Sequence, residues 1–256
     1  MRLKQGEQIA KHRTLSIPGL KEIPINLLNA CLIITFCFWS IAYARHFLLQ
    51  SNAYDLGVFD QALWLISKGI TPISSIVRVH ILADHGAWML YIGSILYKLY
   101  ANINWLFLSQ AIGLSFTAIP LWILSINSGL NTKLAWLICG LWWMQPVVFN
   151  TNLFDFHPEV WGMPALASSY LMLRQNKPLY WLILCMILLG CRDGMVVIIA
   201  GIGIDQLIRR KYIWSISAFT LSLTWFLIFI YGIYPFLGEY SSGGESPTFK
   251  ALDSLS

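Results

Sequence analysis

Seven apolar stretches, at residues 25–44, 105–126, 134–149, 160–173, 178–190, 194–204 and 212–236, decide what this chain can fold into. About 20 apolar residues in a helix cross the hydrocarbon of a bilayer, where a helix satisfies its own backbone groups. Several stretches hold only about 13 to 16 residues, roughly 20–24 Å of helix, and need local thinning, tilt or polar ends to reach across. An eighth stretch, 86–100, reads either as a span or as a helix lying in the interface. Composition agrees with a membrane solvent: 57% of residues are hydrophobic and only 11% charged, less than half the share usual in soluble domains. Mean hydropathy is +0.63, and the 12 Trp suit the boundary between hydrocarbon and water.

The remaining composition excludes several classes. A net charge of +5 does not signal nucleic acid, because the basic residues lie between apolar stretches rather than in one patch. Cys31, Cys37, Cys139, Cys185 and Cys191 fall inside or at the edge of apolar stretches without CxxC spacing, as small buried hydrophobes rather than disulfides or zinc ligands. The polar leader MRLKQGEQIAKHRTLSIPGLKEIP is too long for a signal-peptide n-region, so the first stretch is expected to remain as a helix.

Charge sets the expected sidedness, since Lys and Arg are retained on the cytoplasmic side. With 86–100 lying in the outer interface, Arg2, Lys4, Lys11, Arg13, Lys21, Lys133, Arg174, Lys177, Arg209, Arg210 and Lys211 are cytoplasmic, which is 11 of the 17 basic residues. Asp55, Asp60, Asp84, Asp155, Glu159, Asp193, Glu239, Glu245 and Asp253 then lie outside, nine of 12 acids, leaving Glu7, Glu22 and Asp205 within. A crossing at 86–100 would invert everything after it and split the acids. The expectation is therefore an all-α polytopic membrane protein of about seven transmembrane helices. It comprises a cytoplasmic tail at 1–24, a membrane domain at 25–236 with interfacial helices in an outer loop at 46–104, and an outer tail at 237–256.

That first outer loop is too long to be a mere connection. Within it, YDLGVFDQALWLISKG predicts an amphipathic helix with Leu56, Phe59, Leu63 and Ile66 on one face and Gly69 capping its end. Asp55 at its start fits either an N-cap or a catalytic carboxylate, and Asp60, about 140° further round, fits a solvated charge or a second site residue. Arg78, His80, Asp84 and His85 follow, a mixed cluster suited to phosphate or a divalent metal, or to ordinary loop hydrogen bonding. The second outer loop, NTNLFDFHPEVWG, sets Asp155, His157 and Glu159 between two apolar stretches, as capping and dipole compensation or as a substrate path. The third outer turn, GCRDGM, carries Arg192 and Asp193, which either pair with one another or leave the arginine fork to hold a phosphate.

YDLGVFDQALW, a His-containing segment, FDFHPE and a charged turn, in this order, resemble the 2079 family of domains of unknown function, prokaryotic polytopic membrane proteins, over about residues 54–234. The FDLGxxDQ-like and DFHPE motifs carry the resemblance. The chain departs from the family pattern at Cys191-Arg192-Asp193 and at Asp84-His85-Gly86-Ala87, and its end soon after the last stretch reads as a truncated or split member.

The family is in turn distantly similar to the GT-C membrane glycosyltransferases. That likeness implies transfer of a sugar from a polyprenyl-phosphate carrier, with inversion, to an acceptor outside the cytoplasm of a prokaryotic cell. The N-terminus would be cytoplasmic and the C-terminus outside. By the same resemblance Asp55 is the expected base. Asp60, Arg78, His80, His85, Asp155, His157, Glu159, Arg192 and Asp193 are expected to bind substrate, with a divalent metal ion as the alternative source of positive charge. Expected partners are membrane lipid, the polyprenyl-linked sugar and a membrane protein supplying further helices, with no nucleic acid. The competing expectation is a non-catalytic membrane subunit whose acids merely cap helices.

Overall fold

The computed structural model describes residues 23–238. Residues 1–22 of the expected cytoplasmic tail, with Glu7, Glu22 and the basic residues Arg2, Lys4, Lys11, Arg13 and Lys21, lie outside the described residues, as do residues 239–256 of the expected outer tail, with Glu239, Glu245 and Asp253.

Among the described residues every regular element is helical, and each apolar stretch forms a helix or a pair of helices. The first forms α1 (Ile25–Phe47). The long loop holds α2 (Asp55–Ser67), α3 (Ile81–His85) and α4 (Met89–Leu99). The stretch 105–126 forms α5 (Asn104–Phe116) and α6 (Ala118–Asn127), joined at Thr117. Pro120 offers no N–H to the Phe116 carbonyl there, while Thr117 Oγ1 donates to the Gly113 carbonyl at 2.7 Å. The stretch 134–149 splits into α7 (Thr132–Met144) and α8 (Pro146–Leu153), because a residue before proline is driven to extended backbone. Gln145 accordingly has ψ 128°. Next come α9 (Glu159–Arg174), α10 (Pro178–Leu189), α11 (Met195–Ile208) and α12 (Tyr212–Ile228). The last continues through a π turn, Phe229–Ile233, into α13 (Tyr234–Gly238).

Among the described residues three helical stretches are long and apolar enough to cross a bilayer: Ile25–Phe47, Asn104–Asn127 and Tyr212–Leu237. Pro178–Leu189 and Met195–Ile208 are apolar but shorter, about 18 and 21 Å. The described residues are thus all-helical and hold three helices of full spanning length, where the sequence suggested about seven crossings. The ambiguous stretch 86–100 yields only the 11 residues of α4, about 16 Å against a hydrocarbon thickness of about 30 Å. It packs on α2.

Two cores stack along the bundle. One gathers Leu27 and Cys31 of α1, Trp122 of α6, Cys139 of α7, and the buried faces of α10 and α11. The other gathers Phe38 and Ala42 of α1, Leu106 and Leu114 of α5, and Phe59 and Leu63 of α2, with Phe156 and Val160. α1 and the α5–α6 pair thread both cores. The loop helices therefore cap the second core instead of hanging free: Leu56, Phe59 and Leu63 are at most 2% exposed, each contributing about 2 kcal/mol on leaving water. Ile66, expected on the same face, packs against this core at its edge. Gly69 ends α2 as expected, with φ +71°. Its N–H donates to the Ile66 carbonyl, and the next N–H reaches back to Leu65, the paired bonds that close a helix C-terminus.

The seam that sets the second core's width is α5 against α9. A β-carbon at Gly113 would stand 2.7 Å from the Val160 carbonyl oxygen, a backbone atom that cannot swing aside. Gly140 on α7 has open space around the same position. Gly113→Ala is therefore expected to cost about 1–3 kcal/mol through overpacking, whereas Gly140→Ala stays neutral or gains slightly from helix propensity. Thermal unfolding of the two variants in detergent checks the contrast, and equal stability would contradict the close approach.

Candidate functional site

The acid-rich end of the bundle is organised by a carboxylate that apolar surroundings would not tolerate unpaired. Asp155 is 2% exposed. Its Oδ1 accepts from Arg45 Nη1 at 2.6 Å, at the last turn of α1, and its Oδ2 accepts the Asn52 N–H at 2.6 Å. Asn52 Oδ1 in turn accepts the Tyr54 N–H at 2.8 Å, a local turn that starts α2. The loop after α8 thus fixes where α2 begins.

That loop is itself held from below. The C-terminal end of α8 leaves carbonyls open within the core, and Gln110 of α5, fully buried, donates to those of Thr151 and Asn152 at 3.1 and 3.3 Å. Asn152 Nδ2 donates to the Phe38 carbonyl of α1 at 3.0 Å. These amides satisfy backbone groups for which hydrocarbon has no partner.

On this base Asp55 and His157 meet. His157 Nδ1 lies 2.9 Å from the Asp155 carbonyl, which can only accept, so Nδ1 carries a proton and Nε2 is the outward nitrogen. Nε2 stands 4.0 Å from Asp55 Oδ1, with both side chains about a quarter exposed. Asp55 lies in the first turn of α2, yet no side chain caps this helix. Its carboxylate is turned to the histidine rather than to the backbone N–H groups that an N-cap would serve. Phe59, one turn further along α2, packs its ring against His157 at 5.5 Å and His85 at 5.2 Å, gathering both histidine-bearing segments around one buried aromatic. A cavity of about 400 Å³ opens beside His157, lined also by Asn150, Thr151 and Phe154.

The third outer turn docks on α3 and α4. Asp193 N–H donates to the His85 carbonyl at 2.8 Å and Met89 N–H to the Gly190 carbonyl at 2.9 Å. Arg192 Nη1 bonds Glu159 Oε1, the first residue of α9, and its Nε is 3.8 Å from Asp193 Oδ1. Partial burial works against this guanidinium's charge, but Glu159, with Asp193 and Asp84 behind it, outweighs burial and raises its pKa. His85 Nδ1 is 2.6 Å from Asp84 Oδ2. Asp55, Asp155, His157, Glu159, Arg192, Asp193 and His85 therefore share one end of the bundle, linked through Phe59 and the two-residue step from His157 to Glu159.

Other expected residues are engaged elsewhere. Asp60 is not a solvated charge: its Oδ1 accepts from Tyr97 Oη at 2.6 Å in the α2–α4 contact. Burial first, and Asp60 second, push the Tyr97 hydroxyl's pKa upward. His80 is 4% exposed and N-caps α3, its Nδ1 accepting the Leu82 N–H at 3.1 Å; burial lowers its pKa. Arg78 is exposed, in left-handed backbone at φ +57°. Among the described residues no three His, Cys, Asp or Glu side chains draw together as a metal ion would need. Arg45 was not singled out from sequence. Its signal was present, as a cation at the acid-rich end of the first span, where some carboxylate has to answer it.

The family model described as a predicted membrane protein, DUF2079, matches residues 45–251. The chain belongs to this family. The matched region starts at Arg45 and takes in the segments that carry Asp55, His157 and Arg192. No curated protein and no solved structure matches the chain.

Within this DUF2079 member the Asp155 clamp gives a stability test. Asp155→Asn keeps the shape but loses the charge that faces Arg45, and is expected to cost about 2 kcal/mol, as for hydrogen bonds to charged groups. Asp60→Asn, which keeps an acceptor for Tyr97, is expected to cost less. Detergent melts that rank the two in reverse would contradict the clamp.

Proposed function

We propose that this membrane protein is a GT-C-type glycosyltransferase, moving a sugar from a polyprenyl-phosphate donor to an acceptor hydroxyl on the non-cytoplasmic side. The observation that carries the reading is the meeting of Asp55 with His157, beside an arginine held by Glu159. These groups come from three outer segments, and an assembly of helix caps would not need them together.

In this reading Asp55 takes the proton of the acceptor hydroxyl as its oxygen bonds to C1 of the sugar. The C1–oxygen bond to phosphate breaks, the configuration inverts, and the electron pair leaves on the polyprenyl phosphate. Arg192 supplies fixed positive charge for that phosphate, and its planar fork suits two phosphate oxygens at once. His157, oriented by the Asp155 carbonyl, positions Asp55 and the incoming hydroxyl. Glu159 holds Arg192 in place. The polyprenyl chain would lie in the bilayer beside the bundle, so that donor and acceptor meet at the membrane surface.

The competing reading, a non-catalytic subunit that packs with a partner, draws on the exposure of α1 and α12, of whose apolar windows only 28% and 17% are buried within the chain. Lipid covers such faces equally well, so this observation does not displace the enzymatic reading.

Asp55→Asn preserves size and removes the base. Membranes carrying this variant at normal expression are expected to lose about 10²-fold or more of sugar transfer from a panel of labelled polyprenyl-phosphate sugars. Transfer at the unsubstituted rate would remove Asp55 from the chemistry and favour the subunit reading.

A further inference from the structure

At the other end of the bundle two helical turns lie side by side, and they are built alike. After α9, the N–H of Asn176 donates to Leu173 and that of Lys177 to Met172; after α11, Arg210 donates to Leu207 and Lys211 to Gln206. Both turns pass through a non-glycine residue in left-handed backbone, Asn176 at φ +56° and Arg210 at φ +57°. Asparagine is well suited to that conformation and arginine is not. Helix α9 carries the chain 16 residues from Glu159, so this end lies about 24 Å from the acidic end.

Between the turns opens a cavity of about 630 Å³. Arg174, Arg210 and Lys211 line it, and no acidic residue does. The nearest acid in sequence, Asp205, is paired with Arg209 at 2.9 Å. Arg174 Nη1 donates to the neutral Ser128 hydroxyl at 2.6 Å. Among the described residues none of the three lining cations has a carboxylate partner. The first turn of α12 also faces the cavity through Tyr212, Ile213 and Trp214, adding open backbone N–H groups and the positive end of a 17-residue helix.

The faces below this charge are apolar and uncovered: Leu179 on α10 is 64% exposed, and Ile213 and Ile216 on α12 are 82% and 64% exposed. A concentrated positive pocket opening onto bare apolar helix faces fits a ligand with an anionic head and hydrocarbon tails. A free anion would leave the lower half unused.

We propose that the cavity lined by Arg174, Arg210 and Lys211 binds the phosphate headgroup of an anionic phospholipid, whose acyl chains lie along the exposed faces of α10 and α12. The site is separate from the Asp55–His157 end and does not depend on the reaction proposed there. It anchors the α9–α10 and α11–α12 hairpins to the surface of one leaflet, so that the two turns, which bond within themselves, gain a common partner.

The test uses the full chain purified in a neutral detergent and titrated with phosphatidylglycerol, phosphatidylcholine or inorganic phosphate, with bound lipid read by native mass spectrometry. Phosphatidylglycerol is expected to bind, and the double variant Arg210→Gln, Lys211→Gln to bind it about 30-fold more weakly, as for the loss of two cations at a membrane surface. Lys133→Gln removes a cation that does not line the cavity and is expected to leave binding unchanged. Equal binding of phosphatidylcholine would overturn the proposal. So would full retention by the double variant, an equal loss in Lys133→Gln, or displacement of the lipid by millimolar inorganic phosphate. The substituted side chains are exposed, and an unchanged melting temperature without lipid separates lost binding from lost folding.

Discussion

A carboxylate buried at the acid-rich end of an apolar bundle is the constraint from which the candidate site follows. Asp155 is stable there only because Arg45 brings a counter-charge and Asn52 a backbone donor, both at 2.6 Å. An unpaired charge in that position would cost several kcal/mol or force the group to neutralise. Pairing it fixes three things together: the end of α1, the start of α2 and the path of the loop after α8. His157 then takes its orientation from the carbonyl of the same residue. The geometry at Asp55 is thus a consequence of satisfying Asp155, one residue type and one hydrogen-bond inventory away from the chemistry.

Most of the fold was legible because apolar stretches in a membrane have one inexpensive backbone conformation. Every stretch forms helix, and the breaks at Pro120 and Pro146 follow from a missing N–H and a restricted predecessor. Helix α2, with its buried face and Gly69 terminus, was readable from spacing alone. The number of crossings was not, because α10 and α11 are each shorter than the hydrocarbon thickness and their tilt is set by neighbours.

The candidate site was legible as three acid-rich outer segments but not as pairs. Asp55 has the sequence signature of an N-cap, and only the arrival of His157 from more than 100 residues away turns it outward. Asp60 has the signature of a surface charge, and only the packing of α4 on α2 supplies Tyr97. His80 resembled a ligand and caps a helix instead. In each case the deciding partner is distant in sequence, and local propensity carries no information about it. Arg45 was passed over for the complementary reason: a charge balance between the two faces gives no weight to any one cation among the acids, although a buried carboxylate makes this one a necessity.

The proposed reaction stands on the meeting of Asp55 with His157, at the end of the bundle that the charge distribution predicts to be non-cytoplasmic. The most direct measurement places cysteines at positions 55 and 157, with the exposed Cys37 replaced by serine. Intact spheroplasts are then treated with a short, membrane-impermeant bifunctional thiol reagent, and the digested protein is read by mass spectrometry. Peptides containing positions 55 and 157 are expected to be joined by reagent added from outside. Cysteines that react only after the membrane is opened, or that react singly from outside and are never joined, would contradict it.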